Sequence, residues 1–223
     1  MIDGFDWAYL CDTRPARLRG LRTTLYVSVV AIVLSLLIGA IGAAMRLSGR
    51  PFLMWPARAY VAFIRNTPLL VQLFFIFYGL PVIGVRLSAF WSGVVCLSVW
   101  GGCYHLESFR AGYVGVSQGT RDAARALGLM AWQYALLVAL PIALRTAVPS
   151  MANTSIAMLK NSSYLQAIGL AEMTFVAIDR NSLEFRTIEL FAAICVFYLV
   201  LVLAMSACAA RLESYLQRPF LAQ

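Results

Sequence analysis

The chain has 223 residues, 61% of them hydrophobic and 13% charged, and its mean hydropathy is +0.79. These values exclude an ordinary soluble domain of this size and predict an integral membrane protein. The formal net charge of +8 is carried almost wholly by arginine, because Lys160 is the sole lysine. Such an excess favours basic loops beside lipid headgroups over a nucleic-acid-binding module.

Five apolar stretches are long enough to cross the roughly 30 Å hydrocarbon core of a bilayer as helices. They cover about residues 23–45, 57–80, 88–109, 134–168 and 188–210. The fourth is interrupted by Pro141, Pro149 and Lys160, so we expect it to face protein or a wet cavity more than lipid. The chain is therefore predicted to be a single all-α transmembrane domain over residues 1–223, with about five transmembrane helices.

Neither a metal site nor a cofactor is expected in this chain. The five cysteines are odd in number and lie mostly in apolar stretches, which indicates packing residues rather than disulfides or metal ligands. His105, the only histidine, cannot form a metal cluster with other histidines. A hydrogen-bonded structural role is favoured for it over a proton relay.

Residues 120–141, TRDAARALGLMAWQYALLVALP, combine a short helix signal with a stop. Thr120 is a suitable N-cap, Asp122 lies in the predicted first turn near the helix dipole, and Gly128 can adopt the left-handed conformation that ends a helix. A helix of about two turns is marginal alone, so its narrow alanine face gains most by fitting a groove on another surface. Arg121 and Arg125 would flank that face.

The spacing in this segment is similar to that of the EAA loop of bacterial ABC-importer permease subunits. That loop reads Glu-Ala-Ala, three residues, Gly, nine residues and Ile-x-Leu-Pro; this chain has Asp-Ala-Ala at 122–124, Gly128 and Val-Ala-Leu-Pro at 138–141. The resemblance implies an ABC type I importer permease fold, with a cytoplasmic coupling helix at about 120–129 that docks in a cleft of the ATPase subunit. The coupling residues are then Arg121, Asp122, Ala123, Ala124, Arg125 and Gly128. An ordinary alanine-rich connector is the alternative.

The second predicted span opens with residues 65–72, RNTPLLVQ. This resembles the Arg-Gly-Thr-Pro-Leu-Leu-Val-Gln stretch of the polar-amino-acid branch of these permeases. Pro68 removes a backbone donor from a helix otherwise suited to lipid. The residues placed here in a substrate pathway are Arg65, Asn66, Thr67 and Gln72. The alternative is a proline-kinked helix whose arginine only reaches toward the membrane interface.

Charged residues also occur in the third and fourth predicted spans. Glu107 needs a partner in apolar surroundings, and Arg110 lies three residues on, so a structural ion pair is favoured. The stretch after Leu159 is similar to the family's Lys-Asp-Thr-Ser-Leu segment, with an asparagine in place of the acid. Lys160 either receives an amino-acid carboxylate or pairs with Glu107 or backbone carbonyls. The substrate pathway is thus extended to Glu107, Lys160, Asn161, Ser162 and Ser163.

The function implied by the resemblance is that of a permease subunit in an ATP-driven importer of polar amino acids. The loss of an acid at position 161 favours glutamate or aspartate over arginine or lysine as the substrate. The alternative is a stand-alone secondary transporter or channel for a small polar solute, with Glu107, His105 and Lys160 as a relay. That alternative gives the helix at 121–128 no purpose.

The absence of an ATP-binding motif bears on the energy source, and the resemblance implies the partners. An ATP-binding P-loop requires a lysine after glycine, whereas Lys160 follows Leu159, so we expect no enzyme activity here and ATP-Mg on a separate chain. The resemblance implies two copies of an ABC ATPase subunit, a second permease that is identical or homologous, and a periplasmic or lipoprotein solute-binding protein. Charged residues within 169–187 would face outward and are candidates for docking that protein.

The expected location is the bacterial cytoplasmic (inner) membrane, crossed several times and in contact with membrane lipid. Three spans before a cytoplasmic loop place the N-terminus outside and the C-terminus inside. Four arginines within residues 14–22 would then lie outside or at the outer interface, against the positive-inside rule. The motif is given more weight than this charge count.

Overall fold

A computed structural model describes Tyr9 and residues 13–217, and this part of the chain contains helices and turns but no strand. Eight helices follow one another within it: α1 (Arg14–Leu47), α2 (Pro51–Arg65), α3 (Leu69–Ile83), α4 (Ala89–Val114), α5 (Gln118–Ala126), α6 (Ala131–Ile168), α7 (Met173–Glu184) and α8 (Thr187–Gln217). By length and composition, α1, α6 and α8 can each cross a membrane, and the broken pair α2 and α3 is a fourth candidate span. The predicted all-α membrane fold is confirmed.

The predicted second span, 57–80, is wrong as a continuous helix, because the chain leaves the helical conformation at residues 66–68. Pro68 has no backbone N–H and disfavours a helical conformation at Thr67. The side-chain amide of Asn66 closes α2 by donating to the Ala62 carbonyl at 2.7 Å. The other predicted spans lie on α1, α4, α6 and α8.

Two helices contain a widened, π-helical turn just before a proline. In α3 this turn is Phe75–Gly79, followed by Pro81, and in α6 it is Tyr134–Ala139, followed by Pro141. A proline ring clashes with the carbonyl four residues before it, and a wider turn moves that carbonyl aside. The apolar stretches therefore remain helical through both prolines.

The described residues pack into two compact units, called here the first unit and the second unit. The first unit contains the described residues up to 33, with 67–98 and 156–205, and its core is formed by Met173, Ala177, Leu190 and Ile194. The second unit contains residues 34–66, 99–155 and those from 206 onward, and its core is formed by Val61, Ile64, Cys103 and Leu106. Each unit thus has its own buried apolar centre.

Within the second unit, α4 and α6 approach closely at Gly112. A Cβ atom at this position would lie 2.4 Å from the backbone oxygen of Ala143, which is shorter than any normal contact. That oxygen belongs to the helix backbone and cannot move aside as a flexible side chain could. Glycine is therefore required for the present spacing of these two helices.

We expect Gly112→Ala to lower the free energy of unfolding by about 1–3 kcal/mol, because the added methyl group overpacks a backbone contact. Unfolding of the detergent-purified protein by added SDS measures this change. Gly119→Ala is the matched control, since a Cβ atom there would meet nothing within 4 Å. Equal stability of the two variants would contradict the requirement for glycine at position 112.

Candidate functional site

The short helix α5 begins earlier than its sequence suggests. Ser117, not Thr120, is the N-cap, and its side-chain oxygen accepts a hydrogen bond from the Thr120 backbone N–H at 3.2 Å. The prediction that Asp122 lies in the first turn is therefore wrong as well. Its carboxylate accepts from the Gln118 amide at 3.2 Å and pairs with the Arg125 guanidinium at 3.4 Å.

The end of α5 is formed as predicted. Gly128 has a φ of +74°, the left-handed conformation that glycine adopts without strain. Its N–H donates to the Arg125 carbonyl at 2.9 Å, and the Leu129 N–H donates to the Ala124 carbonyl at 3.1 Å. This paired pattern satisfies two carbonyls at the helix end, so the helix stops at a fixed residue.

The two faces of α5 have different surroundings. Ala124 is buried against its own unit, and Arg121 and Arg125 line a cavity on the same face. The opposite face is exposed and is formed by Asp122, Ala123, Ala126 and the following residue Leu127. Ala124 thus packs inside the chain, and the predicted docking surface reduces to that exposed face.

The nine residues predicted for a substrate pathway do not all lie in one unit. The second unit holds Arg65, Asn66 and Glu107, and the first unit holds Thr67, Gln72, Lys160, Asn161, Ser162 and Ser163. In the second unit, Arg65 and Glu107 line one cavity.

Glu107 is the centre of a mostly buried charge cluster in the second unit. Its carboxylate lies 2.8 Å from the Arg110 guanidinium and 3.3 Å from that of Arg46, and only 17% of its side chain is exposed. The predicted pair with Arg110 is confirmed, whereas the contact with Arg46 on α1 was not foreseen. Both ion-pair partners of Glu107 among the described residues are arginines of the same unit. The alternative pairing with Lys160, which belongs to the first unit, stays a prediction.

The cavity beside this cluster has a volume of about 370 Å³, within the range of small-molecule sites. Its polar walls are formed by Arg65, Tyr104, Glu107, Ser108, Thr146, Ser150 and Thr154. The Arg65 guanidinium lies over the Tyr104 ring, 5.1 Å from its centroid. The hydroxyls of Ser108 and Ser150 are hydrogen-bonded at 2.8 Å. The cavity is therefore lined by one guanidinium, several hydroxyls and the carboxylate of Glu107, which is already paired with two arginines.

Three hydroxyl residues of α6 that line this cavity were not predicted from the sequence. Thr146, Ser150 and Thr154 are four residues apart and share one helix face. Thr146 and Thr154 donate to the carbonyl four residues earlier at 3.0 and 3.1 Å. The spacing of four was the available signal, because it predicts a polar stripe along an otherwise apolar helix.

Two of the predicted polar residues of the first unit, Gln72 and Ser162, donate hydrogen bonds to backbone carbonyls. Gln72 donates to the carbonyl and to the hydroxyl of Thr67, at 3.0 and 2.7 Å, and so bridges the break at Pro68. Ser162 is buried and donates to a backbone carbonyl one turn earlier at 2.7 Å. Lys160 is exposed and has no ion-pair partner among the described residues.

His105 is fully buried, and neither of its ring nitrogens has a hydrogen-bond partner in the part of the chain that the structure describes. The expected hydrogen-bonded role is therefore wrong. A relay through His105 also lacks a bonded neighbour, because Glu107 is bound by two arginines.

The charged segment 169–187 contains one residue that is not available for docking. Glu172 is fully buried and caps α7, where its carboxylate accepts two backbone N–H bonds at 2.8 and 2.9 Å. Burial raises the pKa of this carboxyl group. Glu184, by contrast, accepts from the Tyr9 hydroxyl and from Arg180, and these hydrogen bonds lower its pKa.

This chain combines helices long enough to cross a membrane with a polar cavity and a short helix that presents an exposed face. Together these features are typical of transporter subunits. Residues 22–218 match the family described as "Binding-protein-dependent transport system inner membrane component". This chain belongs to that family. The family assignment made from the motifs is confirmed.

Two curated relatives match over almost the whole chain. The "Glutamine transport system permease protein GlnP" of Escherichia coli (strain K12) is 33% identical over 211 residues, which cover 94% of this chain and 96% of the relative. The "Probable glutamine ABC transporter permease protein GlnM" of Bacillus subtilis (strain 168) is 33% identical over 211 residues, with 95% and 98% covered.

Solved structures give the same fold. One described as "Crystal structure of an amino acid ABC transporter with histidines" has a TM-score of 0.90 at 32% identity and covers 96% of this chain and 100% of its own. An inward-facing MetNI methionine ABC transporter has a TM-score of 0.78 at 20% identity, with 92% and 98% covered, and supports the fold alone.

We expect Glu107→Gln to lower the free energy of unfolding by about 3 kcal/mol, because it leaves two mostly buried guanidinium groups without their carboxylate. Asp122→Asn is the control, since the exposed Asp122–Arg125 pair contributes at most about 1 kcal/mol. SDS titration in detergent measures both changes. A loss at Glu107 no larger than the loss at Asp122 would show that the cluster adds nothing beyond a surface pair.

Proposed function

We propose that this chain is the permease subunit of an ATP-driven importer of polar amino acids in the bacterial inner membrane. The observation that carries the proposal is the match, over almost the whole length, to permeases named for glutamine or amino-acid transport. The permease fold and the exposed face of α5 agree with it. Solute movement is then its activity, and ATP hydrolysis belongs to a partner chain.

The exposed face of α5 is proposed as the contact with the ATPase. Asp122 and Ala123 lie on this face, and Leu127, whose side chain is 79% exposed, projects at the helix end. A large apolar side chain in the open favours insertion into a pocket of a partner. Because Gly128 fixes the end of the helix, the contact is held at one position.

Two copies of the ATPase and a second permease, identical or homologous, would complete the transporter, with a solute-binding protein outside. ATP binding would close the ATPase pair, draw the coupling helices together and favour the outward-facing state. Hydrolysis would restore the inward-facing state. This is alternating access, in which each ligand shifts the balance between two conformations by binding one of them better.

The polar cavity of the second unit is proposed as part of the substrate path. Its only carboxylate among the described lining residues, Glu107, is paired with Arg46 and Arg110, whereas the guanidinium of Arg65 has no carboxylate partner among the described residues. Such a cavity suits the carboxylate of an amino acid and disfavours a cationic side chain. Neutral and acidic substrates, glutamine, glutamate and aspartate among them, are favoured over arginine and lysine.

The test of coupling uses Leu127→Lys in the purified permease together with its cognate ATPase. We expect the affinity of the complex to fall about 30-fold, the equivalent of the roughly 2 kcal/mol of an interface hot spot. Stimulated ATPase activity should fall with it. Lysine near the end of a helix suits the helix dipole, so the substitution should leave α5 folded.

Leu183→Lys is the matched control, because Leu183 is 72% exposed and also lies near the end of a helix, α7. This variant should bind the ATPase as the wild type does. If Leu127→Lys binds equally well, α5 is only a connector. Uptake that continues without ATP but stops when the proton gradient is removed would support the secondary transporter instead.

The test of the substrate path uses Arg65→Gln in proteoliposomes supplied with binding protein and ATP. Loss of a charge-assisted hydrogen bond of about 1.5–3 kcal/mol should raise the KM for glutamine or glutamate about 10- to 100-fold. Arg58→Gln, an exposed arginine on the same helix, should leave KM unchanged. Unchanged uptake by Arg65→Gln, or equal competition by lysine, would argue against this assignment.

A further inference from the structure

An apolar groove lies in the second unit between α1, α4 and α6. It has a volume of about 460 Å³, and its walls include Ala40, Ala44, Leu47, Phe109, Leu136 and Leu140. The residues of α1 that line it extend from 40 to 48, about 12 Å along the helix axis at the usual rise per residue. Alanines on α1 leave this space open, and its length and composition suit an extended hydrocarbon chain.

A basic pocket adjoins the groove. Its volume is about 380 Å³, and Arg121 and Arg125 of α5 line it together with Tyr113 and Tyr134. Tyr113 lines both cavities, and Tyr134 of the pocket precedes a residue of the groove, Ala135, in the chain. The apolar groove and the basic pocket therefore share a wall at Tyr113.

The charges of the pocket do not cancel. Arg121 has no ion-pair partner among the described residues, and its guanidinium lies 5.8 Å from the centre of the Tyr134 ring. Within the described part of the chain, the one ion-pair partner of Arg125 is the exposed Asp122, at 3.4 Å. The Tyr134 hydroxyl is buried without a hydrogen-bond partner in the described part of the chain. Two guanidinium groups and one carboxylate leave one net positive charge, which suits phosphate oxygens.

We propose that the groove and the pocket together hold one anionic phospholipid, with an acyl chain along α1 and the phosphate beside Arg121 and Arg125. The position agrees with this occupant, because only three residues separate the end of α4 at Val114 from the start of α5. Basic side chains just beyond an apolar helix lie at the depth of lipid headgroups. This role uses the inner face of α5 and goes beyond the proposed contact of its exposed face with the ATPase.

Native mass spectrometry of the delipidated full chain tests the site with phosphatidylglycerol and phosphatidylcholine of identical acyl chains. One net positive charge near an anionic headgroup should favour phosphatidylglycerol about fivefold. The double variant Arg121→Gln and Arg125→Gln should lose this preference. Ala44→Phe, which fills the groove, should lower retention of both lipids.

Matched controls are the double variant Arg58→Gln and Arg211→Gln, which removes two exposed arginines elsewhere, and Ala204→Phe on the exposed side of α8. Both should retain lipid as the wild type does. The proposal is overturned if the Arg121 and Arg125 variant keeps the preference, or if Ala44→Phe abolishes a permease dimer while lipid retention is unchanged. The measurement contains no ATPase, so its outcome is independent of the coupling test.

Discussion

The need to pair every backbone N–H and C=O group decides where the helices of this chain can break. An unpaired N–H or C=O in hydrocarbon costs several kcal/mol, so a chain in contact with lipid has to remain helical. Pro81 and Pro141 are accommodated by widened turns within α3 and α6. At Pro68 the helix does break, and there side-chain amides take over, with Asn66 closing α2 and Gln72 bridging back to Thr67. Some polar residues that the sequence suggested for a substrate site thus form hydrogen bonds with the backbone.

The cost of removing a group from water also decides where charged side chains can lie. Glu107 is tolerated in α4 because Arg46 and Arg110 both reach its carboxylate. The pairing joins α1 to α4 and neutralises the only acidic group that lines the polar cavity among the described residues. Arg65, held over an aromatic ring, then sets the sign of the field in that cavity. On the proposed substrate path, this ion pair would leave Arg65 as the charge that distinguishes one substrate from another.

Sequence patterns were sufficient for features that are local or periodic. Long apolar stretches predicted the helices, and Gly128 predicted the end of α5 because a left-handed residue is a local requirement. Features that depend on contacts between distant segments were not predictable. Nothing near Glu107 in sequence indicated Arg46, and Ser117 was overlooked because two hydroxyl residues compete for one cap. The N-cap role of Glu172 was not predicted, because glutamate is not among the favoured N-cap residues.

The two faces of helix α5 have different surroundings. On one face, Ala124 packs within the second unit and Arg121 and Arg125 line a cavity. On the other face, the side chain of Leu127 is exposed. On the proposals above, a lipid on one face and the ATPase on the other would contact the same nine-residue helix. Occupancy of the inner face alters coupling only when the ligand binds the two transport states with different affinity. A lipid that binds both states equally would stabilise the fold and leave the transport equilibrium unchanged.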